Sequence, residues 1–321
     1  MIRKEMMFST MNKKCRAVVP FFILSLGMLF LSSCTPNNLS QDSASVISKP
    51  WVEHNPKVIM ITGSASGFGK AAAEKLIAKG HIVYGGDINR EANQYLTAIG
   101  GTALVMDVRK DKQVQAGIKR ILKEQGRIDV LINNAGYGEY GTIENMAMED
   151  LKNQFEVNVF GLARLQQAVL PAMRKQRFGR IIVVSSGLGK FSMPVLGWYA
   201  ASKHAVEGMA DALRLEVARF NIDVVKIQPG ASNTNFVHTA YARLDQSHVP
   251  EDYKQMVADF RAGLDGLMTQ AGGPEETANA IVEAVEAAKP EISYVTMADA
   301  KTFIEKRKNM SEKEFYDMFS K

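Results

Sequence analysis

Short apolar runs rich in β-branched residues alternate with segments of helical period from Lys57 onward. The runs are almost continuously apolar, as expected of parallel strands that are buried on both faces. Between them, apolar residues recur at helical spacing, and one such stripe comprises Val206, Ala210, Leu213 and Val217. The predicted strands are residues 58–61, 82–84, 103–106, 130–132, 181–184, 224–227 and 292–295.

This alternation predicts the fold class: a single doubly wound α/β domain with a parallel sheet, the Rossmann fold, over residues 57–300. The sequence shows no internal repeat and no second domain. A parallel sheet of this kind binds ligands at the carboxyl ends of its strands, so candidate chemistry is sought in the loops there.

The first 34 residues follow another pattern. Residues 1–16 are basic, and residues 17–31 form an apolar run of 15 residues, shorter than the roughly 20 that span a bilayer. This arrangement is typical of a secretory signal. Its ending, Leu31-Ser32-Ser33-Cys34, resembles a bacterial lipoprotein box, which implies a signal peptide over 1–34, a lipidated Cys34 and a membrane-anchored lipoprotein. Two alternatives stay open: an uncleaved signal anchor, or a start codon placed too early and a cytoplasmic protein.

The two segments that flank the domain are polar. Residues 35–56 are rich in Ser, Asn, Pro and Asp, which predicts a flexible linker. Residues 301–321 are charged and amphipathic, which predicts a helical tail that covers the domain or meets a partner.

Charge and cysteine content exclude several functions. The net charge is +5, but residues 1–34 carry +4 of it, and the other 287 residues hold 34 basic and 33 acidic side chains. A nearly neutral domain is a poor partner for nucleic acid. Cys15 and Cys34 both lie in the leader, so the domain has no thiol nucleophile, and its histidines lack metal-site spacing. We expect no metal.

A glycine-rich turn follows the first predicted strand: Thr62-Gly63-Ser64-Ala65-Ser66-Gly67-Phe68-Gly69. Its glycines let the backbone turn tightly and approach a pyrophosphate, while the next helix offers free N–H groups at its start. An ordinary strand-to-helix turn is the alternative. An ATP-binding P-loop is excluded, because Ala71 follows Lys70 where Ser or Thr is required.

Asp87, at the end of the second strand, lies 18 residues beyond Gly69. That is near the offset at which an acidic side chain binds a ribose 2′-hydroxyl, and a carboxylate there repels a 2′-phosphate. The expected cofactor is therefore NAD, with NADP less favoured. Arg90 nearby counts against this preference, and a solvated loop aspartate is the alternative.

Tyr199, Lys203 and Ser186 can supply proton transfer. Hydride exchange with a carbonyl needs a group that carries the hydroxyl proton and another that holds the oxygen. A tyrosine suits the first role if a nearby cation lowers its pKa, and Lys203 stands four residues after Tyr199 on the same helical face. Ser186 ends the fifth strand. A buried tyrosine beside an exposed lysine is the alternative.

Together these motifs resemble the single-domain branch of the short-chain dehydrogenase/reductase family over about residues 57–295. The resemblance implies that Tyr199 is the acid/base, that Lys203 lowers its pKa and binds the nicotinamide ribose, and that Ser186 orients the substrate oxygen. It also implies that Asn158 holds a water molecule of the proton relay. The further cofactor contacts that it implies are Asp107 and Val108 near the adenine, Asn134, Ala135 and Gly136 after strand four, Pro229 and Gly230 after strand six, and Thr234 at the carboxamide. For Asn134, the alternative to a cofactor contact is a structural role in tying strands together.

The implied function is hydride transfer between a nicotinamide cofactor and an alcohol or ketone. The likeness is nearer to members that act on retinoids and steroids, and an apolar pocket is expected from Phe191, Met193, Val195, Trp198 and Phe236, for which core packing is the alternative. A homo-oligomer is expected through helices at 161–174 and 199–220. The alternatives are a non-catalytic dinucleotide-binding or sensor protein and, less favoured, an epimerase or dehydratase.

Overall fold

All seven predicted strands form one parallel sheet. The computed structural model describes residue 51, residues 55–244 and residues 249–319, without the side chains of 242 and 243. The strand order is β3-β2-β1-β4-β5-β6-β7, which confirms the doubly wound α/β fold. The strands are β1 Val58–Thr62, β2 Ile82–Asp87, β3 Thr102–Val105, β4 Val130–Asn133, β5 Gly179–Val184, β6 Ile222–Pro229 and β7 Ser293–Thr296.

Helices cover both faces of the sheet. The helices are α1 Gly67–Ala78, α2 Arg90–Asn93, α3 Tyr95–Ala98, α4 Asp111–Gln125, α5 Met148–Phe155, α6 Leu162–Gln176, α7 Gly197–Val217, α8 Asn235–Arg243, α9 Glu251–Gln270, α10 Glu275–Glu286, α11 Ala298–Asn309 and α12 Glu312–Asp317. Apolar residues of α4, α6 and α7 pack on one face, and those of α1 and α10 pack on the other. A π-helical turn, Glu156–Gly161, joins α5 to α6.

The strand order reverses between β1 and β4, and the loops at this point open a crevice at the carboxyl edge of the sheet. The glycine-rich turn follows β1, and Asn134 follows β4. Ser186 follows β5, and Gly230 follows β6. Residues far apart in the sequence therefore meet at one edge.

Two C-terminal helices pack beside that edge. Ile304 of α11 and Phe315 of α12 are buried in an apolar cluster with Phe191, which lies in the loop after β5. The rings of Phe191 and Phe315 have centroids 5.7 Å apart. The tail of the chain thus packs on the loop that carries Ser186.

Trp51 lies inside the predicted linker, yet it packs on the opposite edge of the sheet. Its indole N–H donates to the Val285 carbonyl (2.8 Å), and its ring lies 3.7 Å from the Arg180 guanidinium, with Phe178 beside it. Arg180 and Phe178 stand at the amino end of β5. The predicted signal peptide, Cys34 and most of the linker lie outside the described residues. Within the part that is described, no helix is long and apolar enough to cross a membrane.

Candidate active site

The glycine-rich turn has the shape that a pyrophosphate needs. Gly63 and Gly67 adopt left-handed backbone angles (φ +68° and +54°), and a side chain at Gly69 would collide with the Gly63 carbonyl oxygen. Helix α1 begins at Gly67, and the side chain of its N-cap residue, Ser66, makes no capping hydrogen bond. The first-turn N–H groups, Phe68 among them, are therefore available to an anion, so these residues fit a dinucleotide.

Asp87 is fixed beside this turn. Its carboxylate accepts hydrogen bonds from the backbone N–H of Ala65 (3.0 Å) and from that of Asn89 (2.8 Å). The half-buried side chain closes the end of β2, where a ribose would lie. Arg90, which begins α2, is exposed.

Asn134 and Thr62 tie β1 to β4. The Asn134 amide donates to the carbonyls of Thr62 and Gly63 (both 3.0 Å), and the Thr62 hydroxyl accepts from the N–H groups of Asn134 and Ala135 (both 3.1 Å). The structural alternative for Asn134 therefore holds. Its side chain shapes the turn that would hold a cofactor.

The side chains of Asp107 and Val108 are engaged within the protein. The Asp107 carboxylate accepts from Nε (2.9 Å) and Nη2 (2.8 Å) of Arg109, and these hydrogen bonds hold its pKa below the usual range. Val108 is buried against Gly161. The Asp107 carboxylate would therefore have to contact the adenine while it remains hydrogen-bonded to Arg109.

The three groups predicted for proton transfer come together at the carboxyl edge. Tyr199, Lys203 and Ser186 are all buried. The Lys203 ammonium donates to the Val184 carbonyl (2.9 Å) and lies 5.8 Å from the centre of the Tyr199 ring. The Ser186 hydroxyl accepts from the N–H of Leu188 (3.1 Å) and hydrogen-bonds to the Tyr199 phenol.

The expected lowering of the Tyr199 pKa is not found. Burial raises this pKa above its usual value, and the hydrogen bond from Ser186 offsets only part of the shift. The Lys203 ammonium faces a backbone carbonyl instead, and burial lowers its own pKa to about 8. Tyr199 is therefore a protonated phenol at neutral pH, which is the form that can donate a proton.

Asn158 lies in the π-helical turn and is buried. Its amide nitrogen donates to the Tyr137 carbonyl (2.8 Å) and to the Ser202 hydroxyl (3.1 Å), while its oxygen accepts from the Tyr137 N–H (3.0 Å). The Ser202 hydroxyl donates in turn to the Tyr199 carbonyl (2.7 Å). Both amide hydrogens are used, so a relay water would have to donate to the remaining lone pair of the Asn158 oxygen.

The loop after β6 lies over the glycine-rich turn. The Pro229 carbonyl oxygen lies 3.4 Å from the Ser186 hydroxyl, and Thr234, the N-cap residue of α8, lies beside Gly67. Gly230 is required where it stands, because a side chain there would collide with the Asp299 carboxylate. At Gly136, after β4, a side chain would crowd the side-chain oxygen of Asn158.

Aromatic rings continue outward from Tyr199. Its ring lies 5.6 Å from Phe236 and 6.4 Å from Tyr140, and Tyr140 meets Phe260 of α9 edge-on at 6.0 Å. Tyr140 and Phe260 were not predicted, because their proximity to Tyr199 depends on the packing of α9. Burial raises the pKa of Tyr140.

The predicted apolar pocket is only partly correct. Phe191 and Met193 pack in the tail cluster with Ile304, where α11 and α12 cover them. Val195 is buried in a cluster with residues of α9, and its carbonyl accepts from the Gly141 N–H (2.9 Å). Phe236 lies beside Tyr199, and the indole of the half-buried Trp198 donates to the Ile143 carbonyl (3.4 Å).

Comparison with known proteins places this geometry in one family. A sequence profile described as "short chain dehydrogenase" matches residues 57–245. A 3-ketodihydrosphingosine reductase of Bacteroides thetaiotaomicron is 46% identical over 181 residues, which cover 56% of this chain and 66% of that protein. An NADPH-dependent 3-dehydrocapnine reductase of Ornithobacterium rhinotracheale is 34% identical over 245 residues, 74% of this chain and 86% of that protein.

A solved structure agrees with the sequence relatives. The crystal structure of a short-chain dehydrogenase from Streptomyces avermitilis superimposes with a TM-score of 0.70 at 31% identity, and covers 82% of this chain and 97% of that one. The chain belongs to the short-chain dehydrogenase/reductase family. It is an oxidoreductase that acts on an alcohol or ketone with a nicotinamide cofactor, which confirms the leading functional prediction.

Proposed function

We propose that the chain reduces a ketone on a long alkyl chain, next to an amine-bearing carbon, with NADH as the reductant. Two of the relatives named above are, by name, a 3-ketodihydrosphingosine reductase and a 3-dehydrocapnine reductase. When bound, the nicotinamide supplies the hydride. Tyr199 gives its phenolic proton to the carbonyl oxygen, Ser186 orients that oxygen, and Lys203 holds the nicotinamide ribose.

The reductive direction is proposed from the two relatives, which are both reductases by name. Reduction of a ketone consumes a proton at the oxygen, and Tyr199 is a protonated phenol at neutral pH that can supply it.

The substrate class is supported by a row of apolar side chains that leads from Tyr199 to α9. The ring of Tyr140 packs between those of Tyr199 and Phe260, and beyond Phe260 the same helix has apolar side chains at Leu264, Leu267 and Met268. These side chains are half-buried or exposed although they share a face. Eight residues of helix extend roughly 12 Å, which suits an alkyl chain and exceeds what a small ketone needs.

NADH is proposed over NADPH because of Asp87. Its carboxylate is held at the end of β2, where it would accept a ribose hydroxyl and repel a phosphate. The name of the Ornithobacterium relative, an NADPH-dependent enzyme, stands against this preference.

A substrate comparison tests the proposal. The full chain is assayed by NADH oxidation with 3-ketodihydrosphingosine and with cyclohexanone as a short ketone. We expect a much higher kcat/KM for the long substrate, and Phe260→Ala should raise KM for that substrate alone. Gln255→Ala, an exposed polar position on the same helix, is the matched control and should leave KM for both ketones unchanged. Equal kcat/KM for both ketones, or turnover of cyclohexanone alone, would contradict the proposed substrate class.

We further propose that Cys34 is lipidated and anchors the protein at a membrane surface, and that the domain assembles as a homo-oligomer. Acyl chains contribute about 0.8 kcal/mol per buried CH₂, so two or three chains anchor a protein stably. Cys34→Ala should abolish acyl labelling and cleavage at that position. A wild-type protein that fractionates as soluble and begins near Met1 or Met11 would refute the anchor.

A further inference from the structure

A buried carboxylate lies directly behind the catalytic helix face. Glu207 follows Lys203 by one helical turn, as Lys203 follows Tyr199, so the three side chains share one side of α7. Glu207 is 4% exposed, and none of the proton-transfer roles described above uses it. A carboxylate is rarely buried to this degree unless it is paired.

Its partners come from β6, from the loop that carries Ser186 and from the Ser185 hydroxyl, which donates a hydrogen bond to it. The Lys190 ammonium, in the loop after Ser186, lies 2.6 Å from the carboxylate, and Lys226 of β6 lies 3.2 Å from it. The Gln228 amide of β6 donates to it at 2.9 Å. Lys226 also pairs with Asp211 of α7. Glu207 therefore binds α7 to β6 and to the loop that carries Ser186.

Signs of charge alternate along this side of α7. After the neutral Tyr199 come the cation of Lys203, the anion of Glu207, the cation of Lys226 and the anion of Asp211. Although burial raises the pKa of Glu207, the hydrogen bonds from Lys190 and Gln228 and the charge of Lys226 bring it below the usual value. Glu207 is thus ionised at neutral pH and is the carboxylate that offsets the desolvation of Lys203.

We propose that Glu207 is a positioning residue that keeps Lys203 charged and fixes the loop after Ser186 against the catalytic helix. This inference rests on the proposed function, in which the charged form of Lys203 donates to the nicotinamide ribose, so that the cofactor would be held best while that charge persists. The negative charge of Glu207 favours the ammonium form of Lys203 and extends it to higher pH. Glu207 acts through Lys203 and touches no reacting atom.

Binding of NADH to the full chain, followed by fluorescence between pH 6 and pH 10, tests this role without any substrate. In the wild type, affinity should fall on the alkaline side as Lys203 loses its proton. Glu207→Gln removes the charge and keeps the side-chain size, so the midpoint of that fall should move to lower pH by about one unit. Glu207→Asp should retain the wild-type midpoint.

Two control variants make the result specific. Glu216→Gln removes an exposed carboxylate from the same helix and should leave the midpoint in place. Lys203→Met should abolish the fall in NADH affinity at alkaline pH. If that fall persists, it does not come from the titration of Lys203 and the proposal fails.

A variant of opposite sign guards against misfolding of Glu207→Gln. Lys190→Met removes a half-exposed cation that neutralises Glu207, so the midpoint should move to higher pH. Uniformly weaker binding in Glu207→Gln with an unmoved midpoint would indicate a purely structural residue and would overturn the proposal. So would a Lys190→Met midpoint that moves to lower pH.

Discussion

The proposed acid/base chemistry of this site rests on one buried phenol. Tyr199 lies among Ser186, Tyr140 and Phe236, and burial raises its pKa. The phenol is therefore protonated at neutral pH and is the proposed proton donor to a carbonyl oxygen. The Lys203 ammonium donates to the Val184 carbonyl and lies 5.8 Å from the centre of the Tyr199 ring.

Tyr199→Phe should abolish turnover and leave NADH binding nearly intact, because phenylalanine keeps the ring and loses the proton. General acid catalysis contributes about 100-fold or more, and steady-state kinetics with a parallel NADH titration measures both effects. Retention of activity within about tenfold of the wild type, or about 1.4 kcal/mol in the barrier, would show that another group is the acid.

Asp87 should decide which cofactor binds. We expect tighter binding of NADH than of NADPH, and Asp87→Asn should narrow the difference by at least about tenfold, because a hydrogen bond to a charged group contributes about 1.5–3 kcal/mol. Calorimetric titration with both cofactors measures it. The cofactor preference is mis-assigned if the wild type binds NADPH more tightly.

Residue spacing alone predicted the proton-transfer groups, because Tyr199 and Lys203 share a helical face and Ser186 ends a strand. Tyr140 had no such signal, since it reaches Tyr199 only through the packing of the loop after β4. Glu207 could have been found, as it continues the four-residue spacing. The pKa of Tyr199 could not, because it depends on how deeply the neighbouring rings bury the phenol.

At the level of elements, the C-terminal helices support the cofactor side of the site. The Asp299 carboxylate of α11 accepts from the N–H of Ala231 (2.9 Å), directly after Pro229 and Gly230. Ala300 packs on Gly187, in the turn after Ser186. Two loops of the site thus rest on one helix.

Asp299→Ala should weaken NADH binding several-fold, because the backbone after β6 loses the carboxylate that fixes it. The lost hydrogen bond to a charged group contributes about 1.5–3 kcal/mol. Only part of this amount should appear as a loss in the free energy of NADH binding. Glu305→Ala, an exposed change on the same helix, is the control. Equal NADH affinities in the two variants and the wild type would remove Asp299 from this role.

The strands were predictable because parallel strands are nearly continuous apolar runs. The central strands β1, β4 and β5 are buried throughout, whereas the edge strands β3 and β7 are only partly buried. The π-helical turn at Glu156–Gly161 was not predictable, since nothing local marks where a helix takes an extra residue. The location of Phe191 was also not predicted. Apolar character alone cannot distinguish a residue that lines a substrate pocket from one that packs under α11 and α12.

For the whole molecule, self-association is the property to test. Leu215, on one of the helical segments expected to pair, is 80% exposed, and Phe160, directly before the other segment, is 49% exposed. We predict a dimer or tetramer of the full chain at micromolar concentration, and Leu215→Glu should weaken it. Light scattering measures both, with Leu267→Glu on α9 as the control. A monomeric wild type would refute the prediction.

The position of Trp51 has a practical consequence. The chain has two tryptophans, and they lie at opposite edges of the sheet: Trp51 stacks on Arg180 at the amino edge, whereas Trp198 precedes Tyr199 at the carboxyl edge. Each of these two edges of the sheet therefore has one tryptophan whose intrinsic fluorescence reports on it. Energy transfer to bound NADH should come mainly from Trp198, while detachment of the N-terminal segment should change the emission of Trp51 alone.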